Sequence, residues 1–406
     1  MNTTSNPRNK KFDKRLLIIF LIIFTETLGF SILLPVLPFL AISFGLNRFQ
    51  AGLVLSVFSF CQFFASPITG KLSDRFGRKP LLLFSQTSTF VGFLLLGFAN
   101  NVWLLILARL VDGLLGSNMT VSQAYISDTS DPSDRTRIYG YSSAVFDAAL
   151  IFGPLIGGTF SAINYSIPMF FAGGISLLSI ILVILFLPES LREREKHVKI
   201  KFEDIIPINN IKNFLKNSKT RGILVIFFIY TFGFMLFISS FALFAEKQVQ
   251  VTPLELGFYL TWVGILRVGL QSFLIAPLQN KFGENKTLGM GIFAMGSTMI
   301  MLIFTTNYLF VYFPLIFLSF GTGVSRPILT SKLTKNVKKE ETGSLLGVNN
   351  ALGSIAQIIT PILGGAMIEY LPSQILPASS AIFFLLIFLL WKWGLTNPVQ
   401  EEKNII

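Results

Sequence analysis

Read from the amino terminus, the chain alternates long apolar runs with short polar joints. Twelve runs of about 18 to 25 residues stand out, at approximately 16–40, 51–69, 80–99, 103–124, 138–162, 167–188, 221–245, 254–278, 288–306, 309–330, 344–368 and 375–394. Coiled as a helix rising about 1.5 Å per residue, each is long enough to cross a hydrocarbon core of roughly 30 Å. The pattern therefore predicts an all-α integral membrane protein with twelve transmembrane helices. One joint, 189–220, is long and hydrophilic and holds the only histidine, His197. It divides the chain into an expected six-helix bundle at 1–188, a linker at 189–220 and a second six-helix bundle at 221–406 with a short tail. The first run is too long for a cleavable signal peptide and lacks a small-residue cleavage site.

Composition agrees with this reading. Of the 406 residues 52% are hydrophobic and 13% charged, about half the charged fraction of an ordinary soluble domain, roughly 25%. The single cysteine, Cys61, leaves no disulfide within the chain, and no cluster of metal-ligating residues is evident.

Charge adds orientation. Of 33 Lys and Arg, Arg48 and Lys247 fall on one face of the predicted topology, Arg109, Arg267 and Arg326 fall inside spans, and the remaining 28 fall on the other face. Cytoplasmic joints retain positive charge, so both termini and the linker are expected in the cytoplasm. The net charge of +12 is thereby accounted for, and its dispersal among short loops gives nucleic acid no patch to bind.

An internal repeat follows. YGYSSAVFDAALIFGPLIGG (139–158) aligns without a gap to LGVNNALGSIAQIITPILGG (346–365) at an offset of 207 residues, and LSDRFGRK (72–79) meets LQNKFGEN (278–285) at 206. Two halves repeated in the same orientation imply a pseudo-two-fold axis along the membrane normal and a central path between them.

Charges within spans are the candidates for chemistry, because each costs at least about 2.5–3.5 kcal/mol at mid-bilayer unless it has a partner or a cavity. Glu26 lies eleven residues beyond Arg15, roughly 16 Å along helix 1. Asp147 sits at similar depth in helix 5. In helix 4, Arg109 and Asp112 are three residues apart and share a helix face. A carboxyl group shielded from water holds its proton more readily than one in water, which suits such acids to trade a proton for a substrate. For Asp112 a permanent ion pair with Arg109 is an equal alternative. Gly153, Pro154, Gly157 and Gly158 allow close helix approach and remove one backbone hydrogen bond, as a hinge or as ordinary small-residue packing.

The charged loop GKLSDRFGRKP (70–80) resembles the signature between helices 2 and 3 of the major facilitator superfamily. GPLIGG resembles the antiporter motif of its twelve-helix drug/proton antiporters, with Ala149 where that motif usually has Gly. ARLVDGLLGS (108–117), LPES (187–190) and SILLPVLPFL (31–40) resemble further motifs of tetracycline and multidrug exporters.

The resemblance implies the major facilitator fold, no enzymatic activity and no cofactor, with transport driven by a proton gradient. It makes Gly70, Asp74, Arg75, Gly77, Arg78 and Lys79 a gating loop, against the alternative of a topogenic basic loop that needs only its positive charge. It makes Glu26 the leading proton carrier, with Asp112 and Asp147 behind it and Arg109 tuning them. The implied function is proton-coupled efflux of lipophilic or cationic drugs, such as tetracycline-like compounds. A carrier of sugars or other small metabolites is the alternative, kept open by Asn118, Gln123, Asn349, Asn350 and Gln357. A membrane-embedded enzyme fits least well, for want of a nucleophile with a base. The partners expected are a small-molecule substrate, protons and the lipid bilayer, for a monomer in the cytoplasmic membrane of a prokaryote. Aromatic residues of helices 7 and 8 (Phe227, Phe228, Tyr230, Phe232, Phe234, Phe237, Tyr259, Trp262) are candidates for a substrate cage.

Overall fold

The computed structural model describes residues 14–130, 134–191, 202–205, 207–335, 337–338 and 341–392. Arg8, Lys10 and Lys11 of the basic tail and His197 of the linker lie outside the described residues. Six traverses precede the linker: α1 (Lys14–Ser43), α2 (Arg48–Phe76), α3 (Arg78–Gly97), α4 (Val102–Leu115) with α5 (Asn118–Thr129), α6 (Arg135–Ser161) and α7 (Ser166–Phe186). The linker contributes two short helices, α8 (Phe202–Ile205) and α9 (Ile208–Lys216). Six traverses follow: α10 (Ser218–Val249), α11 (Pro253–Phe273), α12 (Ile275–Phe304), α13 (Tyr312–Lys335), α14 (Thr342–Tyr370) and α15 (Ile375–Lys392).

Eleven of these traverses are long and apolar enough to cross a membrane, α4 and α5 counting together. The twelfth, α11, carries Glu255 and Arg267 in its 21 residues and packs inside the bundle against α6 and α13. Among the described residues there is no strand, as the hydrocarbon requires: only a helix satisfies its own backbone there. Large side chains such as Trp103, Phe273, Phe293 and Phe304 stay exposed on the outside of the bundle, where lipid takes the place of a protein partner.

Two elements depart from the sequence expectation. Helix 4 is broken between α4 and α5. The joint expected before the ninth span is mostly helical in α12, interrupted only at Gly283, whose φ of 78° is left-handed, a region glycine enters without steric cost.

The first half packs through α1 on α6 and α3 on α7, the second through α10 on α14 and α12 on α13 and α15; the halves meet mainly where α2 crosses α14 and α6 crosses α11. The glycine motifs build both crossings. A Cβ placed on Gly158 would lie 3.1 Å from the Cα of Gly257 and 2.8 Å from the carbonyl oxygen of Pro253. One on Gly365, its equivalent in the repeat, would lie 3.3 Å from the Cα of Gly52 and 2.6 Å from the Arg48 carbonyl oxygen. The preceding glycines face inward within each half, Gly157 onto Ile32 of α1 and Gly364 onto Ser240 of α10. Each Gly-Gly pair thus joins its own half with one residue and the other half with the next.

Both crossings lie at the end of the bundle away from the Lys- and Arg-rich loops. The same end is fastened by Arg48, whose guanidinium lies 2.8 Å from Glu246 and 3.9 Å from Glu369, while its backbone N–H donates to Glu369 at 3.0 Å. Lys247, the other basic residue counted there, donates to the Leu371 carbonyl at 3.0 Å and to that of Ile368. The two exceptions to the charge asymmetry are therefore both bound in place.

Candidate functional site

Between the halves, a cavity of about 730 Å³ is lined by α2, α5, α10, α11, α13, α14 and the linker residues Glu203, Ile205, Pro207 and Asn210. A second chamber of about 540 Å³ lies between α6, α11 and α13 and shares Met119, Gln123, Arg267, Thr322 and Arg326 with the first. The lining residues place this space in the basic half of the bundle. Toward the opposite end lies a small chamber of about 70 Å³, walled mainly by Phe30, Leu33, Leu37, Phe58, Phe241 and Leu260, with Arg109 as its one charged residue.

Glu26, Asp112 and Arg109 come together in the first half. The Asn118 amide donates to Glu26 Oε2 at 2.6 Å and to Thr89 Oγ1 at 3.2 Å, and Thr89 hydrogen-bonds Asp112. Arg109 donates to Asp112 at 3.3 Å, with both residues buried. A single run of contacts therefore leads from one acid to the other. Gly92 permits it, since a Cβ there would stand 2.9 Å from that of Asp112.

Asn118 reaches Glu26 because helix 4 is broken. Gly116 and Ser117 leave the helical region (φ/ψ −85°/95° and −129°/39°), and α5 restarts at Asn118. The freed backbone groups are satisfied from neighbouring helices: Ser117 N–H donates to Ser85 Oγ at 2.5 Å, and Gln62 Nε2 donates to the Gly116 carbonyl at 3.3 Å. That satisfaction is what lets irregular backbone persist at membrane depth. Sequence reasoning missed the break, although Gly-Ser-Asn in mid-span carried its signal: a flexible residue followed by two that cap helices.

Asp147 belongs to a separate place. It pairs with Arg267 across the two halves, both side chains facing the second chamber. Of the candidate aromatic cage, Phe227, Tyr230 and Phe234 line the large cavity, Tyr230 and Phe234 stacked at 6.5 Å. Phe237 and Tyr259 are buried in the core, and Phe232 packs on Phe383 of α15. Gln123, Asn349, Asn350 and Gln357 line the cavity; Asn118 serves the Glu26 network instead.

The charged loop is bound within its own half. Gly77, with φ 106°, makes the left-handed turn between α2 and α3 that glycine favours. Gly70 meets Thr120 at an ordinary 3.4 Å, so packing places no demand for glycine there. Glu189 of LPES accepts the backbone N–H groups of Arg78 and Lys79 at 2.8 and 3.1 Å, an anion held at a helix N-terminus. The carboxylate that meets a helix start is thus Glu189, whereas Asp74 pairs with Arg78 at 2.6 Å. Arg78 also pairs with Asp128 at 2.9 Å. Lys79 donates to the Ile184 carbonyl at 3.0 Å, and Arg75 lies over the Phe76 ring.

Arg78→Gln is expected to lower unfolding stability in detergent by about 2–3 kcal/mol, less than the ~3–5 kcal/mol of a fully buried broken pair because both acids are partly exposed. Arg78→Lys should recover only part of this, lacking the planar fork. A melting temperature unchanged by Arg78→Gln would refute it.

The model of the Major Facilitator Superfamily matches residues 19–246 and 223–406. The chain belongs to that superfamily. It is 29% identical to the class H tetracycline resistance protein of Pasteurella multocida over 88% of this chain and 90% of that protein. It is equally, 29%, identical to multidrug resistance protein 2 of Bacillus subtilis (strain 168), over 94% of each. Among solved structures, the human organic anion transporter MFSD10 (TETRAN) matches with a TM-score of 0.69 at 20% identity, over 94% of this chain and 100% of that one. A bacterial homologue of the lysosomal transporter Spinster, solved inward-facing, matches with a TM-score of 0.74 at 13% identity, over 96% and 98%.

Membership bears out the resemblance carried by the loop and helix motifs. It makes the protein a multi-pass membrane carrier, not an enzyme. The superfamily's two six-helix bundles are the halves that meet at the two glycine crossings.

Proposed function

We propose that the protein is a proton-driven exporter of lipophilic, tetracycline-like drugs, working by alternating access in the cytoplasmic membrane of a prokaryote. The observation that carries this reading is the joined cluster of Glu26, Asp112 and Arg109, whose bridging Asn118 is flanked by Ser117 and Met119 of the wall of a drug-sized cavity. Two carboxylates and one guanidinium leave one net negative charge where Arg109 and Asp112 are buried and Glu26 is partly so, and a single proton neutralises it. The relatives named for tetracycline and multidrug resistance support the substrate class. Charge asymmetry supports a cytoplasmic basic end, with both termini and the linker there, and on that orientation the cavity faces the compartment from which drug is collected. The bundles 1–188 and 221–406 rock about the glycine crossings as a monomer, with 189–220 tethering them. The proton gradient supplies the energy, and no cofactor takes part.

The test is accumulation of tetracycline and fluorescent lipophilic compounds in inverted membrane vesicles with an acid interior. One proton moved across about 100 mV supplies roughly 2.3 kcal/mol, enough for nearly fifty-fold accumulation of a neutral compound exchanged one for one. The expected result is accumulation that a protonophore abolishes. Accumulation indifferent to the protonophore would remove the coupling. Transport of sugars with no drug accumulating would favour the metabolite reading, to which the amides of the cavity wall are suited.

A further inference from the structure

Four charged side chains face the two chambers among the described residues: Asp147, Arg267, Arg326 and, on the linker, Glu203. Asp147 and Arg267 answer each other. Glu203 is exposed and accepts a hydrogen bond from Asn209 at 2.8 Å. Arg326 has no acidic partner among the described residues. It stands nine residues before Lys335 at the end of α13, about 14 Å along the helix, on the wall of the chambers rather than at the helix end. Its guanidinium is exposed to both chambers.

An arginine held at that depth without a counter-ion disfavours a cation beside it and favours an anion. The planar guanidinium matches a carboxylate or similar oxyanion with two parallel hydrogen bonds. On the same cavity wall Phe227, Tyr230 and Phe234 offer an apolar, aromatic surface, and Asn350 and Gln357 add polar contacts. The volume, about 730 Å³, suits a drug-sized molecule.

We propose that Arg326 anchors the acidic group of the substrate, and that the protein carries amphiphilic organic anions: a carboxylate or comparable oxyanion on a flat apolar body. As a statement about export this rests on the efflux reading above; as a statement about binding it stands alone. Of the lipophilic and cationic compounds expected from sequence, the permanently cationic ones are the poorer fit. Export of an anion is also helped by an interior-negative membrane potential, which acts on the charge itself.

A charge-matched pair decides it: pyrenebutyrate and pyrenebutyl-trimethylammonium, which share one aromatic body. Binding to the purified full-length protein in nanodiscs is read by energy transfer from tryptophan to pyrene. Wild type should bind the anion at least tenfold more tightly than the cation. Arg326→Gln should raise the Kd of the anion at least tenfold and leave that of the cation unchanged or lower, whereas Arg326→Lys should cost only a few-fold. Should Arg326→Gln fail to fold, the wild-type preference and Arg326→Lys still decide. A wild type that binds the cation as tightly as the anion, or an Arg326→Gln that binds pyrenebutyrate within twofold of wild type, overturns the proposal. Anion binding with no gradient-driven uptake in vesicles would sink the efflux reading alone; tetracycline uptake with pyrenebutyrate unbound would sink this one alone.

Discussion

Glu26→Gln should bring drug accumulation in inverted vesicles from as much as nearly fifty-fold, the ceiling for one proton moved at about 100 mV, down to passive equilibration. Gln has the shape of a protonated Glu and its amide oxygen still accepts from Asn118, so the 2.6 Å contact survives while the carboxyl group proposed to carry the proton is lost. Counterflow, in which external drug exchanges for preloaded drug, should therefore persist, because it needs the two conformations but no proton. Asp112→Asn makes the contrast: it leaves Arg109 buried beside a neutral partner, and losing one member of a buried pair costs about 3–5 kcal/mol, so protein yield should fall along with transport. Asp147→Asn breaks only the partly exposed link to Arg267 and should spare coupling. Wild-type accumulation by Glu26→Gln would move the coupling role to Asp112 or Asp147.

Gly158→Val and Gly365→Val should each abolish energised transport by a different route. The added side chains have no room: a Cβ on Gly365 already stands 2.6 Å from the Arg48 carbonyl oxygen and 3.3 Å from the Cα of Phe49. Overpacking of this kind costs typically 1–3 kcal/mol. Here the cost falls on the one conformation in which the crossings touch, so that state should be depleted about 5- to 150-fold relative to one in which they part. A cysteine at Leu256, now buried beside the small chamber, reports the change in a Cys61→Ser background. Its labelling by a membrane-impermeant maleimide from outside the cell should rise at least fivefold. Gly174→Val is the control, since nothing lies within 4 Å of its missing Cβ. Unchanged labelling in both crossing variants would show that the crossings are not the seal.

The spans, the repeat and the charge asymmetry were legible because they are one-dimensional patterns of composition and spacing. The glycine motifs were legible as close-packing devices, but not the division of labour between Gly157 and Gly158. What stayed hidden were partnerships. In a soluble helix an apolar stripe marks the buried face; here lipid and core are both apolar, so a span such as α1 or α10 looks alike all round and does not reveal what its polar residues meet. Hence Asp147 could be singled out within its span while its partner Arg267, 120 residues away, could not be named. Glu189 was visible only as part of a motif, since a helix start needing an anion is a feature of three dimensions. The broken helix 4 was masked by the length of its apolar run, which read as one continuous span.

The small chamber between the Glu26 cluster and the fastened end matters for a transporter at rest. Its walls are mostly aliphatic and aromatic, with Ser59 and Ser239 as the uncharged polar residues and the cation Arg109 as its one charge. A proton travels along hydrogen-bonded oxygens and nitrogens, and two hydroxyls among apolar walls make a sparse wire, while the guanidinium repels any positive charge approaching it. On the proton-coupled reading proposed above, an idle molecule with its cavity flooded from the basic side would keep the membrane sealed, and the gradient would be drawn down only as the two halves complete a turnover.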